Sequence, residues 1–395
     1  MPPRSLHVAI VGATGAVGQE MLSILAERKF PVGKLTAFAS PATAATGKSV
    51  SFRGAAVRLE PLAPGCFRGV DVALFSAGGA ISREWCPRAV AEGALTVDNS
   101  STFRQDPKVP LVIPEVNPEA LRGKSRLFAV PNCSTIVMLM ALKPLHDAAG
   151  LTRVHVSTYQ AVSGAGAKAL RQLEAETLLW AQARMAAEPA RNAAGVARGA
   201  NAFAGAVAAR RALSTGQPAH TNGHNGKAHA SALPMALPHT IAFNVIPHVG
   251  GFLPDGFSEE EAKFVFESRR ILGLPKLAVA ATTVRVPVWR SHSEAIYAEF
   301  ARPLSPDKAR RVLARAPGVK LYDEPSSGRY PMPMLAAGGD DTWVGRIRKD
   351  PTVKNGLCLF VSGDQLRKGA ALTAIQIAEA VLAQNERTPR PVRKT

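Results

Sequence analysis

The segment from Leu6 to Gly18 constrains the fold of this 395-residue chain more than any other. An apolar run at Leu6–Val11 leads into Gly12-Ala-Thr-Gly15-Ala-Val-Gly18, after which apolar residues recur at helical spacing. Glycines between a strand and a helix let a ligand approach the backbone, and the free N–H groups of the first helical turn attract an anion such as a pyrophosphate. The spacing differs from the commoner Gly-x-Gly-x-x-Gly, so a glycine-rich turn without a ligand remains an alternative.

Further short apolar runs follow this turn and alternate with helical stretches. Alternating strands and helices predict an α/β fold, with a doubly wound parallel sheet of the Rossmann type over residues 1–131. An apolar-faced helix within 364–385 is expected to pack back on this domain. The apolar runs lie at 35–39, 70–75, 95–97 and 127–130.

Residues 132–363 form the second region, whose strand-like runs at 154–159, 278–288 and 295–300 predict an α+β catalytic domain. Within it, 180–238 is rich in Ala and Gly and then in polar residues, so we predict a flexible insertion. Three histidines there (His220, His224, His229) have no Cys, Asp or Glu beside them. A solvated loop is favoured over a metal site, and no metal is expected elsewhere.

Charge and cysteine content limit the class of protein. The chain has 48 Lys+Arg against 30 Asp+Glu, a formal net charge of +18, spread without a dense block before the terminal 387–395. With 6% aromatic residues, this favours small anionic ligands over nucleic acid. Four scattered cysteines suit a reducing cytoplasm, and no apolar stretch reaches the roughly 18 residues that a membrane span needs. We therefore expect a soluble cytoplasmic protein that binds neither nucleic acid nor membrane.

Two segments carry the residues of a nucleophilic site. Cys133 begins an apolar helix, where the helix dipole should stabilise a thiolate of low pKa, and Asn132 could donate to an oxyanion. Arg285 lies on a predicted strand and His292 follows a turn, so the pair could provide a carboxylate clamp and a general base. A buried inert cysteine and a structural histidine are the alternatives.

Taken together, these segments resemble the aspartate-semialdehyde dehydrogenase family from about residue 8 to residue 382. The order and number of the matching motifs make coincidence implausible. They are GATGAVG (12–18), FSAGG (75–79), VDNSSTFR (97–104), PEVN (114–117), PNCST (131–135), STYQAVSGAG (157–166), AFNVIPH (242–248), RVPV and HSE (285–294) and KGAA (368–371).

The resemblance implies roles for individual residues. Cys133 corresponds to the acylating nucleophile, His292 to the acid/base and Gln160 to the glutamine that positions the substrate. Arg285 corresponds to the arginine that binds the substrate α-carboxylate, and Glu260 to the acid that receives its α-amino group.

Further matches concern phosphate and the cofactor. Arg104 and Lys263 correspond to the phosphate-binding cations. The implied enzyme is a homodimer that reduces aspartyl phosphate to aspartate semialdehyde with NADPH in the biosynthesis of lysine, diaminopimelate, methionine, threonine and isoleucine. The implied cofactor contacts are Gly12, Thr14, Gly15, Ala16, Val17, Ser40, Ser76, Gly78, Ser163, Gly164 and Gln365.

Two departures from the family pattern concern the cofactor. The arginine expected after the second strand is absent from the segment that begins at Ser40, and Gln365 replaces an asparagine. No Asp or Glu occurs from Ser40 to Lys48, so the acid that selects NAD is absent as well. We predict NADP as the preferred cofactor, with NAD as a weaker alternative.

Three rival interpretations remain. A related acyl-phosphate reductase, such as N-acetyl-glutamyl-phosphate reductase, typically has Gly beside its cysteine, whereas this chain has Asn132. A non-catalytic paralogue would have lost at least one of Cys133, Gln160, Arg285 and His292. A basic nucleic-acid-binding protein would need an aromatic-rich basic face.

Overall fold

The computed structural model describes residues 5–192 and 235–387, which form two β-sheets and the helices around them. The first sheet contains β1 (Leu6–Val11), β2 (Val32–Ala39), β3 (Ser49–Phe52), β4 (Ala55–Pro61), β5 (Val72–Phe75), β6 (Leu95–Asp98) and β7 (Leu127–Ala129). The second contains β8 (Leu151–Gln160), β9 (Ala278–Arg285), β10 (His292–Phe300), β11 (Val319–Leu321), β12 (Thr342–Asp350) and β13 (Gly356–Gly363). The helices are α1 (Ala16–Glu27), α2 (Pro41–Ala45), α3 (Gly79–Ala91), α4 (Cys133–Ala149), α5 (Ala167–Asn192), α6 (Glu259–Leu272), α7 (Pro306–Leu313), α8 (Pro333–Ala336) and α9 (Leu372–Arg387).

The first sheet has the order β3-β4-β2-β1-β5-β6-β7, and all its neighbours are parallel except β3 and β4. Its central strands are buried along almost their whole length, as is typical where helices cover both faces of a parallel sheet. The chain leaves β1 towards β2 on one side and later returns to β5 on the other. Ligands of such sheets bind at this reversal, outside the carboxyl ends of the strands. The predicted α/β fold with a parallel sheet is confirmed.

The second sheet is mixed, with the order β11-β12-β13-β10-β8-β9. The antiparallel pairs β8–β10 and β10–β13 form its centre, and β9 runs parallel to β8 at the edge. Helix α4 packs on one face of this sheet and also contacts α6. The carboxyl ends of β8 and β9 and the first residue of β10 therefore lie near the start of α4, where the second candidate site forms.

Several elements differ from the sequence prediction. The strand-like run expected at 295–300 begins earlier, so that His292, which was expected to follow a turn, is the first residue of β10. Sequence patterns did not indicate the β3–β4 hairpin or strands β11 and β12, because these strands are short or carry charged residues on an exposed face. Strand β13, which is apolar and buried, was not predicted either. A π-helical turn, Arg367–Ala371, leads into α9, which packs on α1, β5 and β6.

The segment 180–238 is only partly described. Helix α5 continues through its first part to Asn192, and residues 193–234, which include His220, His224 and His229, lie outside the described residues. Within residues 5–192 and 235–387, no helix is long and apolar enough to cross a membrane.

Candidate active site

The start of α4 carries the candidate nucleophile. Asn132 is the N-cap residue, and its Oδ1 accepts hydrogen bonds from the N–H groups of Ser134 (3.0 Å) and Thr135 (3.3 Å). Such a cap satisfies donors that the first turn would otherwise leave free. Cys133 is thereby fixed as the first residue of a helix that is buried along most of its length.

The thiol of Cys133 does not have the low pKa that we predicted from its position. Although Cys133 keeps some exposed surface, burial of the thiol raises its pKa to about 11, and the charge of Glu260 adds to the effect. Arg104, Arg285 and Lys263 oppose this rise. The charges of these three cations therefore do not offset the desolvation of the thiol.

Glu260, near the start of α6, is the polar centre of the site. Its Oε1 accepts hydrogen bonds from Asn132 Nδ2 (2.9 Å) and Gln160 Nε2 (3.3 Å), and its Oε2 forms an ion pair with Lys263 Nζ at 2.9 Å. Burial alone would raise the pKa of Glu260, but Lys263 and Asn132 hold it below its ordinary value. The buried carboxylate is therefore ionised and can accept a further ammonium group.

Arg104 is bound on three sides by the protein itself. Its Nε donates to the Val130 carbonyl (2.9 Å), Nη2 to the Asn99 carbonyl (2.9 Å) and Nη1 to Glu267 Oε1 (3.2 Å). A guanidinium has five N–H groups, so one on each terminal nitrogen remains available. The structure thus places Arg104 beside the nucleophile, with its charge balanced by Glu267.

Arg285, the last residue of β9, differs because it has no carboxylate partner. It is buried, and its Nη1 donates to the Ala161 carbonyl at 2.8 Å. Within the described ranges 5–192 and 235–387, no ion pair to Arg285 is found, and its Nε has no hydrogen-bond partner. A buried guanidinium without a counter-ion is a strong site for a carboxylate ligand.

His292 is fully buried at the start of β10. The backbone N–H of Ala161 donates to its Nδ1 at 3.0 Å, so the neutral ring carries its proton on Nε2. Burial and the charge of Arg285 lower the pKa of His292 to about 3. Among the described residues Nε2 has no partner, which leaves this atom available to a substrate.

The glycine turn after β1 forms the cofactor end of the molecule. A Cβ on Gly12, whose φ is +90°, would overlap the carbonyl of Ser76, and one on Gly18 would overlap the carbonyl of Gly12. The turns after β1 and β5 are therefore in direct contact, which only glycine allows. Thr14 and Gly15 are exposed at the N-terminus of α1, where the free N–H groups fit a pyrophosphate.

Other predicted cofactor residues fall into two groups. Gly78 precedes α3 beside this turn, and Ala16 and Val17 begin α1. Ser40 is exposed at the end of β2, where its Oγ caps α2 by accepting the N–H of Thr43 at 3.3 Å.

Ser163, Gly164 and Gln365 connect the cofactor side to the reacting residues. Gln365 Nε2 donates to Ser163 Oγ, and its Oε1 accepts the N–H of Ser291 at 2.8 Å. A Cβ on Gly164 would lie 3.0 Å from both Arg285 Nη1 and His292 Cε1.

Comparison with known proteins decides the family. A model described as "Semialdehyde dehydrogenase, NAD binding domain" matches residues 7–124, and "Semialdehyde dehydrogenase, dimerisation domain" matches residues 142–368. The aspartate-semialdehyde dehydrogenase of Aquifex aeolicus is 43% identical, over 96% of this chain and 98% of that protein. That of Bacillus subtilis is 42% identical, over 97% and 99%. The chain belongs to the aspartate-semialdehyde dehydrogenase family.

Solved structures of the same family agree with this assignment. The crystal structure of aspartate semialdehyde dehydrogenase II from Vibrio cholerae, complexed with ASA, has 37% sequence identity and a TM-score of 0.78, covering 96% of this chain and 99% of that one. The recognition made from motifs is confirmed, as is the fold class with its second, mixed-sheet domain. A nicotinamide dinucleotide-binding domain is therefore part of this semialdehyde dehydrogenase.

Sequence reasoning missed two residues of the site. Gly369 lies against Cys133, since a Cβ there would be 2.9 Å from that of the cysteine. Glu267 accepts hydrogen bonds from Arg104 and from the backbone of Asn132. Spacing could have identified it, because Glu260, Lys263 and Glu267 recur at i, i+3 and i+7 on one face of α6. Within the described part of the chain, no cluster of His, Cys, Asp and Glu could hold a metal ion.

Proposed function

We propose that the chain is an NADP-dependent aspartate-semialdehyde dehydrogenase that works through a Cys133 thioester. The observation that carries this proposal is the position of Arg285. It is a buried, unpaired cation in the same pocket as an ionised Glu260 and a cysteine at a helix start. These groups match the α-carboxylate, the α-amino group and the reactive carbonyl carbon of one small amino acid.

Substrate binding follows from these charges. Arg285 binds the α-carboxylate, which supplies the counter-ion that the buried guanidinium lacks. Glu260 receives the α-amino group at the oxygens that Asn132, Gln160 and Lys263 already orient. An N-acylated substrate would have no ammonium group for Glu260, which disfavours N-acetyl-glutamate semialdehyde.

The reaction can be written for the oxidative direction. The Cys133 sulfur forms a bond to the aldehyde carbon as its S–H proton passes to the oxygen, which takes the electron pair of the C=O bond. As the C=O bond re-forms, the O–H proton is released to the solvent, the hydrogen leaves the carbon as hydride and a thioester remains. A phosphate oxygen then attacks the thioester carbon, and the Cys133 thiolate leaves with the electron pair, giving aspartyl phosphate. Biosynthesis runs this sequence in reverse.

His292 acts on the substrate oxygen as the acid/base. Because the N–H of Ala161 occupies Nδ1, the neutral ring faces the substrate oxygen with its Nε2–H. The Nε2–H donates a hydrogen bond to the developing oxyanion, and Asn132 is a second candidate donor. For the ring itself to take up a proton, Nδ1 would have to release the contact with Ala161. Burial of the ring removes competing water from this bond.

Phosphate and the cofactor would be held by different groups of residues. Arg104 and Lys263 bind the phosphate with N–H groups that their carboxylate partners leave free. A bound nicotinamide dinucleotide supplies or accepts the hydride. The residues that would hold it are those at the Gly12 turn and the Ser163-Gly164 segment, where glycines leave room for the ligand against the backbone.

The assembly and location are part of the same proposal. The face of the second sheet opposite α4 exposes Tyr159 and Tyr297, and the family model for this region is a dimerisation domain, so we propose a homodimer. Four free cysteines suit a reducing cytoplasm, as do small anionic substrates.

One assay tests the activity. The purified chain is given aspartate semialdehyde, phosphate and NADP, and NADPH formation is followed by absorbance, with N-acetyl-glutamate semialdehyde as the competing substrate. We expect turnover with aspartate semialdehyde that depends on phosphate. Faster turnover with the N-acetylated aldehyde would overturn the proposal in favour of the related reductase.

A further inference from the structure

Glu267 joins the two functional parts of the reaction site. It lies in the third turn of α6 and is fully buried. Its Oε1 accepts from Arg104 Nη1 at 3.2 Å, and its Oε2 accepts the backbone N–H of Asn132 at 2.7 Å. A single carboxylate therefore holds the guanidinium and the peptide that precedes the nucleophile.

The bond to Asn132 reaches Cys133 through the helix cap. Asn132 is fixed at its backbone by Glu267, at its Nδ2 by Glu260 and at its Oδ1 by the first N–H groups of α4. If the bond to Glu267 were lost, the cap residue could rotate and the first turn of α4 would shift. A displacement of about 1 Å near a reacting atom can reduce the rate on the order of a hundredfold.

The hydrogen bond between Glu267 and Arg104 affects the charge around the Cys133 thiol. The Arg104 guanidinium, the Glu260 carboxylate and the cations Lys263 and Arg285 all act on the Cys133 thiol, and neutral His292 is the other titratable group of the site. Glu267 balances Arg104 at 3.2 Å, so it reduces the positive field that a thiolate or a phosphate would experience. Removing its charge while keeping its size should leave Arg104 less compensated.

We propose that Glu267 is a positioning residue that sets the place of the Cys133 helix start and the charge of the Arg104 anion site together. The kinetic part of this inference rests on the proposed function. Glu267 is not proposed to contact the substrate, since both of its carboxylate oxygens accept hydrogen bonds from other groups of the protein.

The variant Glu267→Gln tests the proposal. Its amide can accept one of the two hydrogen bonds but must turn its NH₂ group towards the other donor. We expect kcat to fall about 10- to 100-fold through misplacement of Cys133. We also expect the pH profile of Cys133 alkylation by iodoacetamide to move to lower pH, because Arg104 is no longer balanced. NADP affinity and the circular dichroism spectrum should not change.

Two further variants complete the experiment. Glu259→Gln makes the same change at an exposed position of the same helix and should match the wild type in both readouts. Glu267→Asp keeps the charge and both acceptor oxygens, so it should restore the alkylation profile and part of kcat. If Glu267→Gln fails to fold, Glu267→Asp is compared with Glu259→Asp, and a wild-type kcat in Glu267→Asp overturns the positioning role.

The two proposals can fail separately. Wild-type alkylation and kcat in Glu267→Gln, or an alkylation shift in Glu267→Asp equal to that in Glu267→Gln, would overturn the role of Glu267. Absence of turnover with aspartate semialdehyde would overturn the proposed activity, yet alkylation of Cys133 needs no substrate and would still decide the role of Glu267.

Discussion

The cofactor turn and the Cys133 pocket are built in opposite ways. The turn from Gly12 to Gly18 is one continuous segment, and its function depends on backbone groups and on the absence of side chains. The pocket joins polar and charged side chains from α4, α6, the segment after β6 and the ends of β8, β9 and β10. Its closest contacts link residues more than one hundred positions apart, such as Asn132 with Glu260 and Asn132 with Glu267.

This difference predicts how each region responds to substitution. In the pocket, the charged groups apart from the half-buried Lys263 are buried and most have a partner, so removing one leaves another without compensation. At the adenosine end of the cofactor site, the residues are exposed and uncharged except for Lys48. A substitution there should therefore change only the relative affinity for NADP and NAD. The pocket should show large effects on kcat, and the cofactor end small effects on preference.

The largest expected effect is that of Cys133→Ala. No other group at the site can form the covalent intermediate, so kcat should fall by about 10⁴-fold or more. The distant cofactor turn should be untouched, so titration of NADP by fluorescence should give the wild-type Kd. Cys358→Ala, which changes a buried cysteine on β13, is the matched control and should retain activity. Near-normal turnover of Cys133→Ala would contradict the thioester mechanism.

The same contrast explains what sequence could predict. The glycine turn could be predicted from the sequence because hydrophobic periodicity and glycine spacing are local features. The parallel sheet could be predicted from the same features. The spacing of acidic and basic residues along α6 could point to Glu267, but the contacts of Glu267 with Asn132 and of Ala161 with His292 depend on where α6 and β8 pack, which no local pattern shows. The low pKa predicted for Cys133 relied on the helix start, which is visible in the sequence, whereas the burial that raises the pKa of the thiol is not.

The second effect concerns His292. Its alanine variant should lose about 10²- to 10³-fold in kcat, the usual cost of removing an oxyanion donor. Because the pKa of His292 is lowered to about 3, the ring is neutral throughout pH 5–8. The pH profile of kcat/KM should therefore contain no histidine titration in that range. A titration near pH 6.5 that disappears in His292→Ala would contradict this assignment.

The same pKa shift has a consequence for stability. The unfolded chain binds this proton more readily than the folded chain does, since the folded pKa lies below the ordinary 6.5. The contribution of neutral His292 to stability is thus present above pH 6.5 and is lost as the pH falls towards 3. Thermal unfolding of wild type and His292→Asn between pH 4 and pH 8 measures it, and the Tm difference should depend on pH.

The third effect separates the two arginines. Arg104→Lys should raise the KM for phosphate about tenfold, and Arg285→Lys should raise that for aspartate semialdehyde about tenfold, each near 1.4 kcal/mol, since lysine cannot form the bidentate contact. Lysine is the better test at position 104, because alanine would leave Glu267 buried without its partner. Arg58→Lys, on exposed β4, is the control. Equal changes of both KM values in both variants would show that the two anion sites are not distinct.

The smallest effect is expected at the adenosine end of the cofactor. Strand β2 ends at Ala39, and Ser40 follows with an oxygen that already accepts the N–H of Thr43 and hydrogen-bonds with the Thr43 hydroxyl at 2.9 Å. These hydroxyls are partly engaged, and Lys48 is an exposed, flexible cation. A 2′-phosphate would therefore be held less firmly than by an arginine.

We predict that NADP is preferred over NAD by about tenfold in kcat/KM, on the order of one to two kcal/mol. Lys48→Ala should narrow this ratio, and Thr43→Arg should widen it by adding a bidentate donor. Lys34→Ala, an exposed lysine earlier on β2, should leave the ratio unchanged. A preference for NAD, or one for NADP above about a thousandfold (roughly 4 kcal/mol), would show that the 2′-phosphate is bound by groups other than these. Either result would contradict the expectation that the exposed cofactor end, unlike the buried reaction pocket, has only a small effect on ligand binding.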